Sequence, residues 1–215
     1  MLGKPLLSWT ATAALQSKYI TAFYASSDCS IILDEAQKLG YKPIVRPPEL
    51  ALPTSQHVDA ILHALNFMKN EGHEPDILVV QLANVGTIKT EWIDACIELV
   101  LADPEVSAAV PVHENLDNHP FRAKRINKEG FLEPFFDFSG KKISTNRQDL
   151  EASYFLDHSV WILNLSKSVY AEGGQPPWTF MGNKVKGLVT QGCFDVHTRE
   201  DLDLTAQWLI ENKIA

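Results

Sequence analysis

The feature that most constrains the fold of this sequence is a repeated alternation between short apolar runs and amphipathic stretches of helical period. Ile20-Thr-Ala-Phe-Tyr-Ala25 and Asp76-Ile-Leu-Val-Val80 are typical of buried strands. A helical stripe lies between them, formed by Val58, Ile61, Leu62, Leu65 and Met68. Strands joined by helices pair in parallel through right-handed crossovers. We therefore predict an α/β fold, a three-layer and mostly parallel Rossmann-like sheet with its ligand site beyond the carboxyl ends of the strands.

Similar patterns predict the remaining elements. Helices are expected around Leu7–Leu15, Ile32–Leu39, Ile93–Val100 and Leu202–Ile210, and Thr54 or Ser55 is the expected N-cap of the helix that contains Ile61. Further strands are expected at Tyr41–Val45, Ser107–Val112, Tyr154–Leu163 and Gly187–Thr190. The stretch His113–Arg147 has no steady period. We interpret residues 1–215 as a single domain in which residues 113–147 form an irregular excursion that covers the site or meets a partner subunit.

Composition excludes several classes of function. The 215 residues carry a formal net charge of -8, which opposes broad attraction to nucleic acid or to an anionic membrane. No apolar run is long enough to span a bilayer and no export signal is evident, so a cytoplasmic location is expected. Cys29, Cys96 and Cys193 lack the spacing of zinc ligands or of a disulfide framework, and they are interpreted as small buried residues.

Several segments, taken in order, resemble the acylneuraminate cytidylyltransferases, which join a nine-carbon acidic sugar to CMP. Gly3-Lys-Pro-Leu6, Ser26-Ser27-Asp28 and Arg46-Pro-Pro-Glu-Leu-Ala51 each resemble a short family segment. Asn146-Arg-Gln-Asp-Leu150 and Cys193-Phe-Asp-Val-His-Thr-Arg-Glu-Asp-Leu202 resemble two characteristic family elements. The resemblance covers nearly the whole chain and implies the nucleotide-diphospho-sugar transferase type of fold.

The resemblance also implies a reaction: CMP transfer from CTP to a sialic-type or related acidic sugar, with Mg²⁺ as cofactor and release of pyrophosphate. It assigns catalysis to Arg147 and Asp195, and it places the metal at Asp195 and His197. The expected substrate contacts are Ser27, Lys4, Asn84, Thr87 and Gln148. The family's second metal-binding aspartate is replaced by His197, which should weaken Mg²⁺ binding or favour a softer ion such as Mn²⁺. A homodimer is implied, with His119-Pro-Phe-Arg122 and Phe135-Phe136 in the region of subunit contact.

Simpler interpretations of these residues stay open. A guanidinium such as that of Arg147 pairs bidentately with a phosphate or a carboxylate, but it also forms ordinary salt bridges, for example to Asp149. Asp195 is alternatively a helix-capping or surface acid ahead of Thr198, and His197 a solvated histidine without a ligand role.

The largest departure from the family is at the beginning of the chain. Family members open with a strand and a loop like Ala-Arg-x-Gly-Ser-Lys, whose amides and basic side chains hold the triphosphate. Neither Gly173-Gly174 nor Gly182-Asn-Lys184 provides a displaced copy. Losing this strand from the middle of a parallel sheet would expose open backbone edges. One hypothesis is an incomplete chain started at an internal methionine. The other is a protein that binds a nucleotide, an acidic sugar or a partner without turnover.

Overall fold

A computed structural model describes residues 1–140 and 142–215, so Lys141 within the predicted excursion lies outside the described residues. The helices are α1 (Leu7–Leu15), α2 (Ser30–Lys38), α3 (His57–Asn70), α4 (Thr90–Leu101) and α5 (Arg199–Glu211). The strands are β1 (Tyr24–Ser27), β2 (Lys42–Val45), β3 (Ile77–Val80), β4 (Ala108–Glu114), β5 (Lys124–Ile126), β6 (Leu132–Pro134), β7 (Tyr154–Leu156), β8 (Trp161–Asn164) and β9 (Val185–Val189).

The main sheet has mixed pairing. Its hydrogen-bonded order is β3-β8-β4-β7, and β9 pairs with β4. β8 is antiparallel to both β3 and β4, whereas β9 is parallel to β4, so β3, β4 and β9 run in the same direction. β1 and β2 form a separate parallel pair. The predicted α/β class is confirmed, with β7 and β8 running against their neighbours.

Helices cover both faces of this sheet. Along β4, Ala108 and Val110 pack in one apolar cluster together with Ile61 of α3. Ala109 points the other way and packs in a second cluster with Ile93 of α4. This alternation follows from the two-residue side-chain period of a strand, and it establishes the predicted three layers.

Several predicted boundaries were wrong for local reasons. Helix α3 is preceded by Gln56, whose backbone N–H donates to the carboxylate of Asp59, so neither Thr54 nor Ser55 is the N-cap. The single strand predicted over residues 154–163 is two strands, β7 and β8, separated by a turn at residues 157–160. The irregular excursion contains an antiparallel hairpin of β5 and β6.

Within residues 1–140 and 142–215, none of the helices combines the length and apolar character needed to cross a bilayer. The three cysteines are free thiols; Cys96 is buried, whereas Cys29 and Cys193 are half-buried. Burial raises the pKa of Cys96 to about 12, so this thiol stays protonated at neutral pH.

Candidate functional site

The candidate site lies where β3, β4 and β9 end and where the antiparallel β8 begins. The loop after β3 and the segment after β9 are joined by two hydrogen bonds at this edge. The N–H of Val196 donates to the carbonyl of Asn84 at 3.0 Å, and the N–H of Phe194 donates to Oγ1 of Thr87 at 2.8 Å. These bonds fix the segment that carries Asp195 against the sheet.

Buried polar atoms without partners converge here. Among the described residues, no hydrogen-bond partner is found for Nε of Arg46, Nδ1 of His158, Nε1 of Trp161 or Oδ1 of Asp195. Leaving one buried polar group unsatisfied costs about 1–3 kcal/mol, so native proteins rarely collect several together. Such a set indicates a site that a polar ligand completes.

The electrostatics of His57 show that these groups are neighbours. Desolvation lowers the pKa of His57 below its ordinary value of 6.5, and the nearby side chains of His158 and Arg46 lower it further. The Asp195 carboxylate raises the pKa of His57. Arg46, His158 and Asp195, from three separate segments, therefore lie around this imidazole, and the Arg46 guanidinium suits an anionic ligand.

The indole of Trp161 packs against the imidazoles of both His57 and His158. Trp161 is 1% exposed, and its ring lies edge-on to His57 at 5.1 Å and to His158 at 5.8 Å between centroids. Phe180 packs against the same indole at 5.4 Å. Because Trp161 also belongs to the apolar cluster beneath α3, the hydrophobic core directly sets the positions of the site histidines.

A buried carboxylate braces the segment after β9. Asp157 is 1% exposed; one of its oxygens lies 2.6 Å from Nδ1 of His113, and the other accepts a 2.7 Å hydrogen bond from Oγ1 of Thr190. Burial, aided by the charges of Asp157 and Asp195, raises the pKa of Cys193 to about 12. Cys193 is therefore a structural thiol beside the site, not a thiolate nucleophile.

Asp195 offers one oxygen ligand for a cation. Its Oδ2 lies 3.9 Å from Nε2 of His197, whose side chain is 71% exposed. Within the described part of the chain, no three His, Cys, Asp or Glu side chains are grouped as metal ligands. Mg²⁺ is commonly held by one or two carboxylates, with substrate phosphates and waters as further ligands, so Asp195 fits such a site and His197 fits it less well. Helix α5 is capped by Thr198 and Asp201, so Asp195 is not its cap.

Three of the predicted substrate contacts have partners within the fold. Thr87 is fully buried and uses its hydroxyl to hold the backbone of Phe194. Ser27, 4% exposed, accepts a hydrogen bond from the N–H of Cys29. The Lys4 amine lies over the ring of Trp9, 4.8 Å from its centroid. Asn84 lies in the loop after β3, at the edge of the site, where its backbone carbonyl accepts the hydrogen bond from the N–H of Val196.

Arg147 forms a salt bridge, but to an acid other than the one suggested by sequence. Its Nη1 lies 2.7 Å from Oδ1 of Asp117, and both side chains are more than half exposed. Asp149, the acid suggested by sequence, accepts a hydrogen bond from Ser144 instead. Gln148 is exposed beside them in the same short 3-10 helix. No hydrogen bond or ion pair among the described residues links this helix to Asp195.

Sequence reasoning missed most of the residues that converge on Asp195. Arg46 belongs to the segment Arg-Pro-Pro-Glu-Leu-Ala, to which the family resemblance gives no role, and it directly follows β2. His57 opens α3 and His158 precedes β8. No local pattern marks either histidine, because only the sheet brings these distant segments together.

Two solved structures have a fold similar to that of this chain. One, described as CMP:2-keto-3-deoxy-manno-octonic acid synthetase complexed with CTP, aligns with a TM-score of 0.67 and 14% identity, over 98% of this chain and 90% of that chain. Another, 4-diphosphocytidyl-2C-methyl-D-erythritol synthase from Anaerococcus prevotii, aligns with a TM-score of 0.61 and 13% identity, over 97% and 87% of the two chains. No protein-family model matches the chain. The predicted nucleotide-diphospho-sugar transferase type of fold is thereby confirmed.

Proposed function

We propose that the protein is a cytidylyltransferase that transfers CMP from CTP to an acidic, sialic-type sugar. The observation that carries the proposal is the convergence of unpartnered buried atoms from Arg46, His158 and Asp195 at the ligand edge of this fold. Solved proteins with the same fold are described as a CMP-sugar synthetase complexed with CTP and a diphosphocytidyl synthase, and they support cytidine nucleotides as the ligand class.

In the proposed reaction, a sugar hydroxyl oxygen bonds to the α-phosphorus of CTP. The bond from this phosphorus to the β-phosphate oxygen breaks, pyrophosphate leaves and the hydroxyl proton is released. Arg46 binds and orients anionic oxygens through its free Nε, a charge-assisted contact. His57 and His158 add donors on the same side. Asp195 would hold Mg²⁺ through Oδ1, and that ion neutralises triphosphate charge when bound.

Replacing Arg46 with methionine should weaken CTP binding about 10- to 100-fold, because one hydrogen bond to a charged group contributes about 1.5–3 kcal/mol. Methionine retains an apolar stem, so the fold should persist. Isothermal titration of the variant with CTP measures the effect. Arg199→Met is the matched control, since Arg199 is a largely exposed arginine on α5. If Arg46→Met and the wild type bound CTP with equal affinity, Arg46 would not be part of the CTP site.

CTP binding should raise the pKa of His57. The neutral imidazole is favoured in the free protein because its pKa lies below 6.5, and an adjacent anion favours the protonated form. Protonation is therefore linked to binding, and the affinity should rise as the pH falls from about 7.5 toward 6. Titration of the His57 ring protons by NMR, with and without CTP, follows this residue apart from the ligand's own phosphates. A pKa unchanged by CTP would place the nucleotide elsewhere.

A second candidate function is binding of CTP or an acidic sugar without transfer. Two observations favour it: Arg147, an expected catalytic residue, is paired with Asp117, and Thr87 uses its hydroxyl within the fold. A non-catalytic protein would bind CTP saturably and release no pyrophosphate.

We also propose a homodimer that uses the β5–β6 hairpin. Ile126, Phe131 and Leu132 are each about 70% exposed there, at 71%, 70% and 71%, and clustered exposed apolar residues commonly mark an interface. Leu132→Asp should convert dimer to monomer in sedimentation velocity. Ile31→Asp, at a residue 70% exposed on α2, should leave the dimer intact. A wild-type monomer at micromolar concentration would contradict this proposal.

A further inference from the structure

Strands β7 and β8 lie along the same edge of β4, because β9 occupies the other edge. Val112 of β4 is in register with Leu156 of β7, and Ala109 of β4 is in register with Ile162 of β8. Between these two pairs, β4 has two residues, whereas the opposite segment has the five residues 157–161. The opposite segment therefore carries three extra residues, and we refer to residues 157–160 as the bulge.

The bulge presents His158 to the candidate site. Extra residues in one strand of a pair commonly re-aim a side chain beside an active site. The ring of His158 lies 5.8 Å from that of Trp161 and 5.3 Å from that of Trp178, between centroids. Its Nδ1 is buried, and no hydrogen-bond partner is found for it among the described residues. The conformation of the bulge therefore determines where this imidazole lies.

Asp157, the first residue of the bulge, ties it to two strands. The N–H of Asp157 donates to the carbonyl of Pro111 in β4 at 2.9 Å. Its carboxylate is buried and bonds to His113 of β4 at 2.6 Å and to Thr190, directly after β9, at 2.7 Å. Because an ionised carboxylate only accepts hydrogen bonds, Nδ1 of His113 carries the hydrogen. One side chain thus connects the bulge to β4 and to the end of β9.

Thr190 and His113 also hold the segment that leads to Asp195. Oγ1 of Thr190 accepts a hydrogen bond from the N–H of Gly192 at 3.3 Å. Gly192 has a φ of 93°, a left-handed conformation that favours glycine, and a Cβ at this position would lie 3.5 Å from Cγ of His113. The backbone of this segment therefore passes close to the His113 ring, and Asp195 lies three residues further along the chain.

Cys193 joins the same segment to the bulge at a second point. Burial raises the pKa of Cys193 to about 12, and the backbone N–H groups of His158 and Ser159 oppose that rise, so both groups lie close to its sulfur. Asp195 is two residues further on, with its Oδ1 buried and unpartnered within residues 1–140 and 142–215. The bulge and the segment that carries Asp195 are therefore fastened to each other as well as to the sheet.

We propose that Asp157 is a positioning residue, which with His113 and Thr190 holds the bulge that carries His158 and the segment that carries Asp195 in one fixed arrangement. This inference rests on the proposed function, in which Asp195 holds Mg²⁺ and His158 is a donor to the anionic substrate. Groups that orient a metal ligand commonly change metal affinity or activity about 10- to 100-fold when they are lost. Breaking the network should therefore displace both site groups together.

Two pairs of variants of matched size test this proposal. Thr190→Val removes the hydroxyl that donates to Asp157, whereas Thr190→Ser retains a hydroxyl. His113→Leu removes the Nδ1 donor, whereas His113→Asn retains an amide nitrogen bonded to Cγ, as Nδ1 is. We expect Thr190→Val and His113→Leu to raise the Mg²⁺ concentration for half-maximal pyrophosphate release about 10-fold or more. Thr190→Ser and His113→Asn should stay close to the wild type.

NMR of the ligand-free full chain gives a second measurement that needs no catalysis. The ring protons of His158 report on the bulge, because ring currents of the indoles of Trp161 and Trp178 make their chemical shifts sensitive to small displacements. The carboxyl carbon of Asp195 reports on the segment after β9. Both signals should move in the two disruptive variants and stay in place in the two conservative ones. A wild-type chain that released no pyrophosphate would contradict the proposed function, and these signals would still decide the role of Asp157.

Ser168→Ala is the control for a general loss of stability. Ser168 is 1% exposed and donates to the carbonyl of Asn164 at 2.6 Å, at the end of β8 that lies away from the site. The variant should lower the melting temperature without moving the His158 or Asp195 signals. Equal movement of these signals in Ser168→Ala would overturn the proposal. It would also be overturned if Thr190→Val and His113→Leu moved only one of the two signals, or neither.

Discussion

Asp195→Asn should lower the rate of CMP transfer about 1000-fold and remove the dependence of CTP affinity on Mg²⁺. A carboxylate is a much better ligand for Mg²⁺ than a neutral amide, and charge stabilisation by a bound metal contributes several kcal/mol to the transition state. Oδ1 of Asp195 is buried and has no hydrogen-bond partner within residues 1–140 and 142–215, so the substitution removes no structural hydrogen bond made by that atom to those residues. Initial rates at saturating CTP, together with CTP affinity with and without Mg²⁺, measure both effects.

His197→Asn is the matched comparison for this prediction. Its imidazole is 71% exposed and lies 3.9 Å from Asp195, so its loss should reduce the rate much less and should alter the preference between Mg²⁺ and Mn²⁺. If the two variants lost activity equally, the metal would be shared by both residues. An Asp195→Asn variant with an unchanged rate and metal dependence would place the cation elsewhere.

Trp161→Ala should destabilise the fold by about 3–5 kcal/mol, the usual cost of deleting a buried tryptophan side chain. The residue is 1% exposed and lies at the centre of the cluster between the sheet and α3. For a chain of this size the melting temperature should fall by about 6–20 °C. Because the indole also supports His57 and His158, CTP affinity should fall in the protein that remains folded.

Calorimetry and CTP titration below the melting temperature separate the two effects of Trp161. Trp178→Ala is the control, since Trp178 is partly exposed and its ring packs against His158. Trp178→Ala should therefore destabilise the fold less. A Trp161→Ala variant as stable as the wild type would contradict the central position of this side chain in the core.

Much of the fold was predictable because local patterns specify its elements. The stripe from Val58 to Met68 gives α3, and the continuous apolar run before Gln81 gives β3. The break between β7 and β8 falls at Asp157-His158-Ser159, and the sequence does not show that Asp157 is buried there by bonds to His113 and Thr190. Those partners are distant in sequence, and their pairing depends on the finished sheet.

The site was less predictable than the fold. Asp195 was selected by resemblance, and the structure surrounds it with unpartnered polar atoms, but its roles in catalysis and metal binding stay predictions. Arg147 was selected on the same basis and is paired with Asp117 outside this cluster. His57 and His158 carry no sequence signal, because their common feature is contact with Trp161.

Pyrophosphate release from CTP tests the proposed function most directly. The full chain is incubated with CTP, Mg²⁺ and a nine-carbon acidic sugar, and each component is omitted in turn. The proposed function predicts saturable release that requires all three components and that Asp195→Asn abolishes. Saturable CTP binding without release, under the same conditions and with Mn²⁺ as well, would contradict transfer and support the binding function instead.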